Sequence, residues 1–102
     1  MNQVMEVYSY FKLIHKSNLI LFKIGSGYRA YYEDARKISE YLELKYDTAT
    51  DSVLITEEMD IFDVISQLYQ CGLTCKIVSY RNSNNEFTLP DSNVLNDEKE
   101  DY

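Results

Sequence analysis

The stretch Leu19-Ile20-Leu21-Phe22-Lys23-Ile24-Gly25-Ser26-Gly27-Tyr28-Arg29-Ala30-Tyr31-Tyr32-Glu33-Asp34-Ala35 decides the fold of this chain. Leu19 to Phe22 with Ile24 is a short apolar run, the pattern of a strand covered on both faces. Gly25 and Gly27 bracket Ser26 and supply the backbone freedom of a turn. Ser26 is a natural N-cap, so a helix is expected from Gly27 to Leu42. In it Tyr31, Ala35, Ile38 and Leu42 recur at helical spacing and should face a sheet, with Tyr28, Tyr32 and Tyr41 on the flanks. With Ser26 as the cap, Arg29 falls at the third helical position, where a cation opposes the helix dipole. Glu33 with Lys37, and Arg36 with Glu40, are spaced to pair along the outer face.

Ahead of this stretch, Asn2 to His15 reads as an amphipathic helix on Val4, Tyr8 and Phe11, with Val7 and Ile14 beside them. Lys12, His15 and Lys16 place cations toward its C-terminal end. Beyond it, Leu44 to Tyr46 is a short extended piece, followed by a polar loop from Asp47 to Ser52. Val53-Leu54-Ile55 reads as a second central strand. Asp60 caps a third helix with Asp63 in its first turn; Ile61, Val64, Ile65 and Leu68 form its apolar face, and Gly72 ends it. Leu73 to Tyr80 is a further strand. Arg81 to Asn85 suits a turn and Glu86 to Leu89 a last edge strand, which Pro90 stops. The order of elements predicts an α/β (α+β) fold, a small mixed β-sheet with helices packed on it. Residues 1–89 are expected to form one domain, and 90–102 an acidic, disordered tail.

The formal charge of −7 is unevenly placed. From Asp91 onward five acids stand against Lys99, a net of −4, which leaves −3 for the rest. A protein that lives on the phosphate backbone shows a basic face, so this balance argues against strong autonomous DNA binding. No segment reaches the roughly 20 apolar residues of a membrane span. The N-terminus lacks the basic start and apolar core of a signal peptide, so a cytoplasmic location and no membrane partner are expected. Cys71 and Cys75 with the single His15 cannot supply a four-ligand zinc site. They read as two buried, reduced thiols at a helix-to-strand corner.

The opening stretch resembles the start of the N-terminal, mismatch-recognising domain of the DNA mismatch repair protein MutS. In that family the first strand ends in Met-Gly-Asp-Phe-Tyr-Glu and continues into Leu-Phe-Tyr-Asp-Asp-Ala. Here those columns hold Ile24-Gly25-Ser26-Gly27-Tyr28-Arg29 and then Ala30-Tyr31-Tyr32-Glu33-Asp34-Ala35. A second match runs from Ile65 to Val78, a helix, then Gly72, then an apolar strand. The resemblance spans about Val4 to Tyr80 and implies a MutS N-terminal-domain-like fold. It also implies a role for the family's Phe-X-Glu motif, whose Phe stacks on a mispaired base and whose Glu hydrogen-bonds it. In this chain the Phe column is Gly27 and the Glu column is Arg29; the middle Tyr28 remains. A Glu at Arg29 would have completed a capping box.

Three functions follow for comparison. A stand-alone MutS-type module would touch DNA through Lys23, Ser26, Gly27, Tyr28 and Arg29, with Tyr28 stacking on a base and Arg29 meeting phosphate. Without the Phe and Glu, such binding is expected to be weak and blind to mismatches. The alternative is a protein–protein interaction module or homodimer that retains the fold without DNA, which the ten tyrosines suit. An enzyme is not expected. Glu33 and Asp34, Glu57 and Glu58, and Asp60 and Asp63 are adjacent or capping acids, and no nucleophile–base set is visible. No phosphate-binding glycine loop occurs, and no cofactor or metal is expected.

Overall fold

A computed structural model describes residues 3–79. The helices are α1 (Gln3–Ile14), α2 (Tyr32–Leu42) and α3 (Ile61–Gln70), and the strands β1 (Asn18–Ile24), β2 (Gly27–Tyr31), β3 (Tyr46–Asp47), β4 (Ser52–Ile55) and β5 (Thr74–Val78). The strands form one mixed sheet in the order β3-β4-β2-β1-β5. β1 and β5 run parallel, and the other neighbours are antiparallel. The expected α+β architecture is therefore present. The turn and last strand expected beyond Tyr80, and the acidic tail, lie outside the described residues.

β1 is buried on both faces, as its unbroken apolar run requires. Leu19 and Leu21 join Ala30, Val53 and Ile55 beneath α2 (Ala35, Ile38) and α3 (Val64, Leu68). Ile20 and Phe22 face the other way and pack with Val78 under Val7 and Phe11 of α1. Ile14, expected beside that apolar face, is 50% exposed. Helix α3 matches expectation closely. Asp60 caps it by accepting from the Phe62 N–H at 2.9 Å, and Gly72 (φ +83°) ends it in the left-handed conformation. Val53-Leu54-Ile55 lies in β4, beside the edge strand β3; the middle of the sheet is β2.

The helix expected from Gly27 begins five residues later, because Gly27–Tyr31 is a strand. Gly25 and Ser26 close a two-residue hairpin between Ile24 and Gly27, with Gly25 at φ +59°. A two-residue loop with glycine first suits the right-handed twist of paired strands. β2 then hydrogen-bonds β1 on one side and β4 on the other. Pairing on both edges outweighs a single cap from Ser26. Tyr31 consequently lies in the sheet, and Arg29 is a strand residue, so it never meets the helix dipole. The chain leaves β2 through Tyr32 in the left-handed region (φ +57°), a conformation costing a non-glycine residue about 1–2 kcal/mol. Tyr32 is held there by its N–H to the Asp51 carbonyl at 2.8 Å and by an edge-on contact with Tyr8 at 5.0 Å. Arg36 pairs with Asp51 at 3.0 Å across to the β3–β4 turn.

Asp34, read from sequence as one of two adjacent acids without a catalytic role, is fully buried. Its Oδ1 accepts from Lys12 Nζ of α1 at 3.0 Å, and its Oδ2 from the Ile20 N–H of β1 at 2.9 Å. Lys12 also donates to the Asn18 carbonyl at 2.7 Å. One carboxylate thus joins α1, β1 and α2. Burial, and then the Asp34 charge, push the nearby Tyr8 phenol above its ordinary pKa. The cysteines divide: Cys71 is exposed at the end of α3, not buried as expected, while Cys75 is half-buried in β5. Burial, and then the Asp34 charge, push the Cys75 thiol up to about 11.

Asp34→Ala removes the partner of both a buried N–H and a lysine, and should cost roughly 3 kcal/mol in urea unfolding. Exposed Glu33→Ala next to it should stay within about 0.5 kcal/mol. In a thiol-reagent titration of the native protein, Cys71 should react and Cys75 should not until the chain is unfolded. The raised Cys75 pKa also makes stability fall as pH rises from about 9 toward about 11, where only the unfolded thiol ionises.

Candidate nucleic-acid interface

The β1–β2 hairpin carries all five residues singled out from the sequence, but it does not present them on one surface. Ser26 stands exposed at the tip. Gly27, next to it, is buried. A Cβ there would lie 2.7 Å from the Ile55 carbonyl oxygen, 3.6 Å from Thr56 Cα and 3.7 Å from Glu57 N. All three neighbours are backbone, so the segment leaving β4 lies against the tip and leaves room for hydrogen only. Glu57 and Glu58 of that segment are exposed.

The strand pleat then separates the other three. Lys23 and Tyr28 are cross-strand partners on the face that carries α2 and α3. Tyr28 packs its half-buried ring against that core, with Lys23 Nζ 5.0 Å from the ring centroid. Its ring is therefore a cation platform and a core flank. Arg29 points to the opposite face, paired across strands with Phe22 and Leu54. Its Nη1 donates to Ser52 Oγ at 2.8 Å. Ser52 is buried, and its hydroxyl shares a 2.6 Å hydrogen bond with Thr50 Oγ1. These contacts fix the guanidinium against the sheet.

On this same face α1 covers β1 and β5, whereas Leu54 of β4 remains 43% exposed. Here the surface opens into a groove of about 500 Å³ lined by Arg29 and Leu54 and by the segment from Leu44 to Thr48. Asp47 is held below the usual carboxylate range, first by the Thr50 hydroxyl, then by the Ala49 N–H at 3.0 Å, and weakly by Arg29. Sequence reasoning missed Lys45, Asp47, Ser52 and Leu54 as neighbours of Arg29. The Gly25-Ser26 pair between two apolar runs was the available signal, since a hairpin there places β2 beside a later strand. Among the described residues no group of three or more His, Cys, Asp or Glu is placed to hold a metal ion. Nor is any helix among them long and apolar enough to cross a membrane.

A family model, MutS domain I, matches residues 2–85. No curated protein matches the chain.

Gly27→Ala should be destabilising by roughly 1–3 kcal/mol, because its methyl group must displace backbone. Gly25→Ala meets open space and carries only the positive-φ strain, about 1 kcal/mol. Ser26→Ala should change little. Urea unfolding of the three variants reads this order directly, and an order with Gly25→Ala worst would disprove the close approach at Ile55.

Proposed function

For a chain that belongs to the MutS domain I family over residues 2–85, we propose a binding module that keeps the family's frame and touches DNA without reading mismatches. MutS domain I is a non-catalytic DNA-binding domain of mismatch repair, and we read this chain as a binder and not an enzyme. The observation that carries the reading is the contact at Gly27. The position that resembles the family's stacking Phe lies 2.7 Å (as a Cβ) from the Ile55 carbonyl. No wedge can project there from this backbone. The position that resembles the family's Glu holds Arg29, a donor-only group tied to Ser52. It cannot accept a hydrogen bond from a base.

Charge supports the same conclusion. Glu57 and Glu58 stand exposed beside the hairpin tip, where a duplex entered tip-first would bring its phosphates. The residual attraction is then electrostatic and local to Arg29 and its neighbours. Contact of this kind is weak and strongly salt-dependent. The chemistry gives no preference between a matched pair and a mispair.

Fluorescence anisotropy with a short duplex, with and without a single mismatch and at low and moderate salt, tests the reading. Equal affinity for both duplexes is expected, lost as salt rises. Arg29→Glu should weaken binding roughly tenfold at low salt, since it reverses one phosphate-facing charge. A clear preference for the mismatched duplex would overturn the claim of a lost wedge. Absence of binding even at low salt would favour the protein-interaction module instead.

A further inference from the structure

We propose that the groove beside β3 holds a single strand of nucleic acid, with phosphate on Arg29 and Lys45 and an unstacked base on Leu54; this rests on the reading of the chain as a DNA-contacting module. The groove joins two unlike surfaces. Two of its lining residues are cations, Arg29 from the middle strand and Lys45 just ahead of the edge strand. Leu44 and the half-exposed Leu54 add apolar surface to the same lining. A guanidinium carries five N–H donors. Among the described residues Ser52 is the hydrogen-bond partner of Arg29, which orients the group and leaves donors for a ligand oxygen. Lys45 is exposed and makes no hydrogen bond or ion pair among the described residues.

Asp47 limits what can enter. Its carboxylate is engaged by the Ala49 N–H and the Thr50 hydroxyl, so it stays charged and the groove carries a net of one positive charge. That suits a ligand with one phosphate per unit and an apolar planar body. The volume, about 500 Å³, has room for a nucleotide. A duplex keeps its bases inside the stack and could offer the groove phosphates alone. A single strand can offer an unstacked base to Leu54 as well, and cations that track the backbone are half of the usual arrangement for such strands; here the surface that would receive the base is aliphatic.

The test is anisotropy with a short thymidine strand and a duplex of equal length, on wild type and on Arg29→Gln, Lys45→Gln, Leu54→Ser and Lys37→Gln. The single strand should bind more tightly than the duplex. Lys45→Gln and Arg29→Gln should each weaken it roughly fivefold and flatten its salt slope by about 0.7. Leu54→Ser should weaken the single strand and leave the duplex alone. Lys37, exposed on α2 across the sheet, is the control and should change neither. Arg29 also braces Ser52, so Lys45→Gln carries the test if Arg29→Gln fails to fold. A duplex bound as tightly as the single strand, or binding indifferent to Lys45→Gln and Leu54→Ser, overturns the groove assignment alone. If neither nucleic acid binds at low salt, the DNA reading and the groove fall together.

Discussion

The buried carboxylate of Asp34 is the constraint on which the arrangement of layers depends. An ionised group taken out of water must be surrounded by donors, or the fold carries a large penalty. Asp34 meets this with a lysine from α1 and a backbone N–H from β1. Satisfying it therefore fixes where α1 crosses the sheet and where α2 begins. Tyr8 and Tyr32 complete the junction with an edge-on ring contact, and burial there, then the Asp34 charge, raises the Tyr8 phenol. The consequence reaches the surface. With α1 tied over β1 and β5, Leu54 on the same face of β4 is left half-exposed, and the groove beside Arg29 lies at that part of the sheet.

The second constraint is the position of β2 at the centre of the sheet. A middle strand must pair on both edges, so its neighbours come within backbone contact along its whole length. At Gly27 a Cβ would lie 2.7 Å from the Ile55 carbonyl oxygen, and the glycine is what permits this approach. The exposed tip has thereby exchanged a projecting side chain for a close backbone seat against the segment leaving β4. Structure and charge agree on the result. The tip is small and flanked by acids, while the cations Arg29 and Lys45 lie on the flank of the sheet.

Several features were legible in the sequence for plain physical reasons. An unbroken apolar run of Leu19 to Phe22 has to be covered on both sides, and it is. Asp60 and Gly72 bound α3 because capping and left-handed termination are local chemistry, settled within a few residues. The family resemblance was also carried by local order and spacing, and residues 2–85 match MutS domain I. The second helix was misjudged at its start because Ser26 satisfies two local rules at once. It can cap a helix or sit second in a Gly-Ser hairpin, and only the strand that pairs with Gly27–Tyr31 chooses between them. That strand, β4, lies more than twenty residues downstream.

By itself the sequence determined which segments are apolar, where α3 is capped, and that the columns resembling the family's Phe and Glu hold Gly27 and Arg29. Tertiary structure decided where those two residues lie. Gly27 is a contact point with Ile55, Arg29 faces a groove with Lys45 and Leu54, and Tyr28 turns to the other side with Lys23 over its ring. It also decided that Asp34 is interior while Glu33 beside it is solvated. The reason is the same in each case. Pattern and propensity act over a few residues, whereas the face a strand residue takes, and the partner a buried charge finds, depend on which distant strand or helix lies alongside.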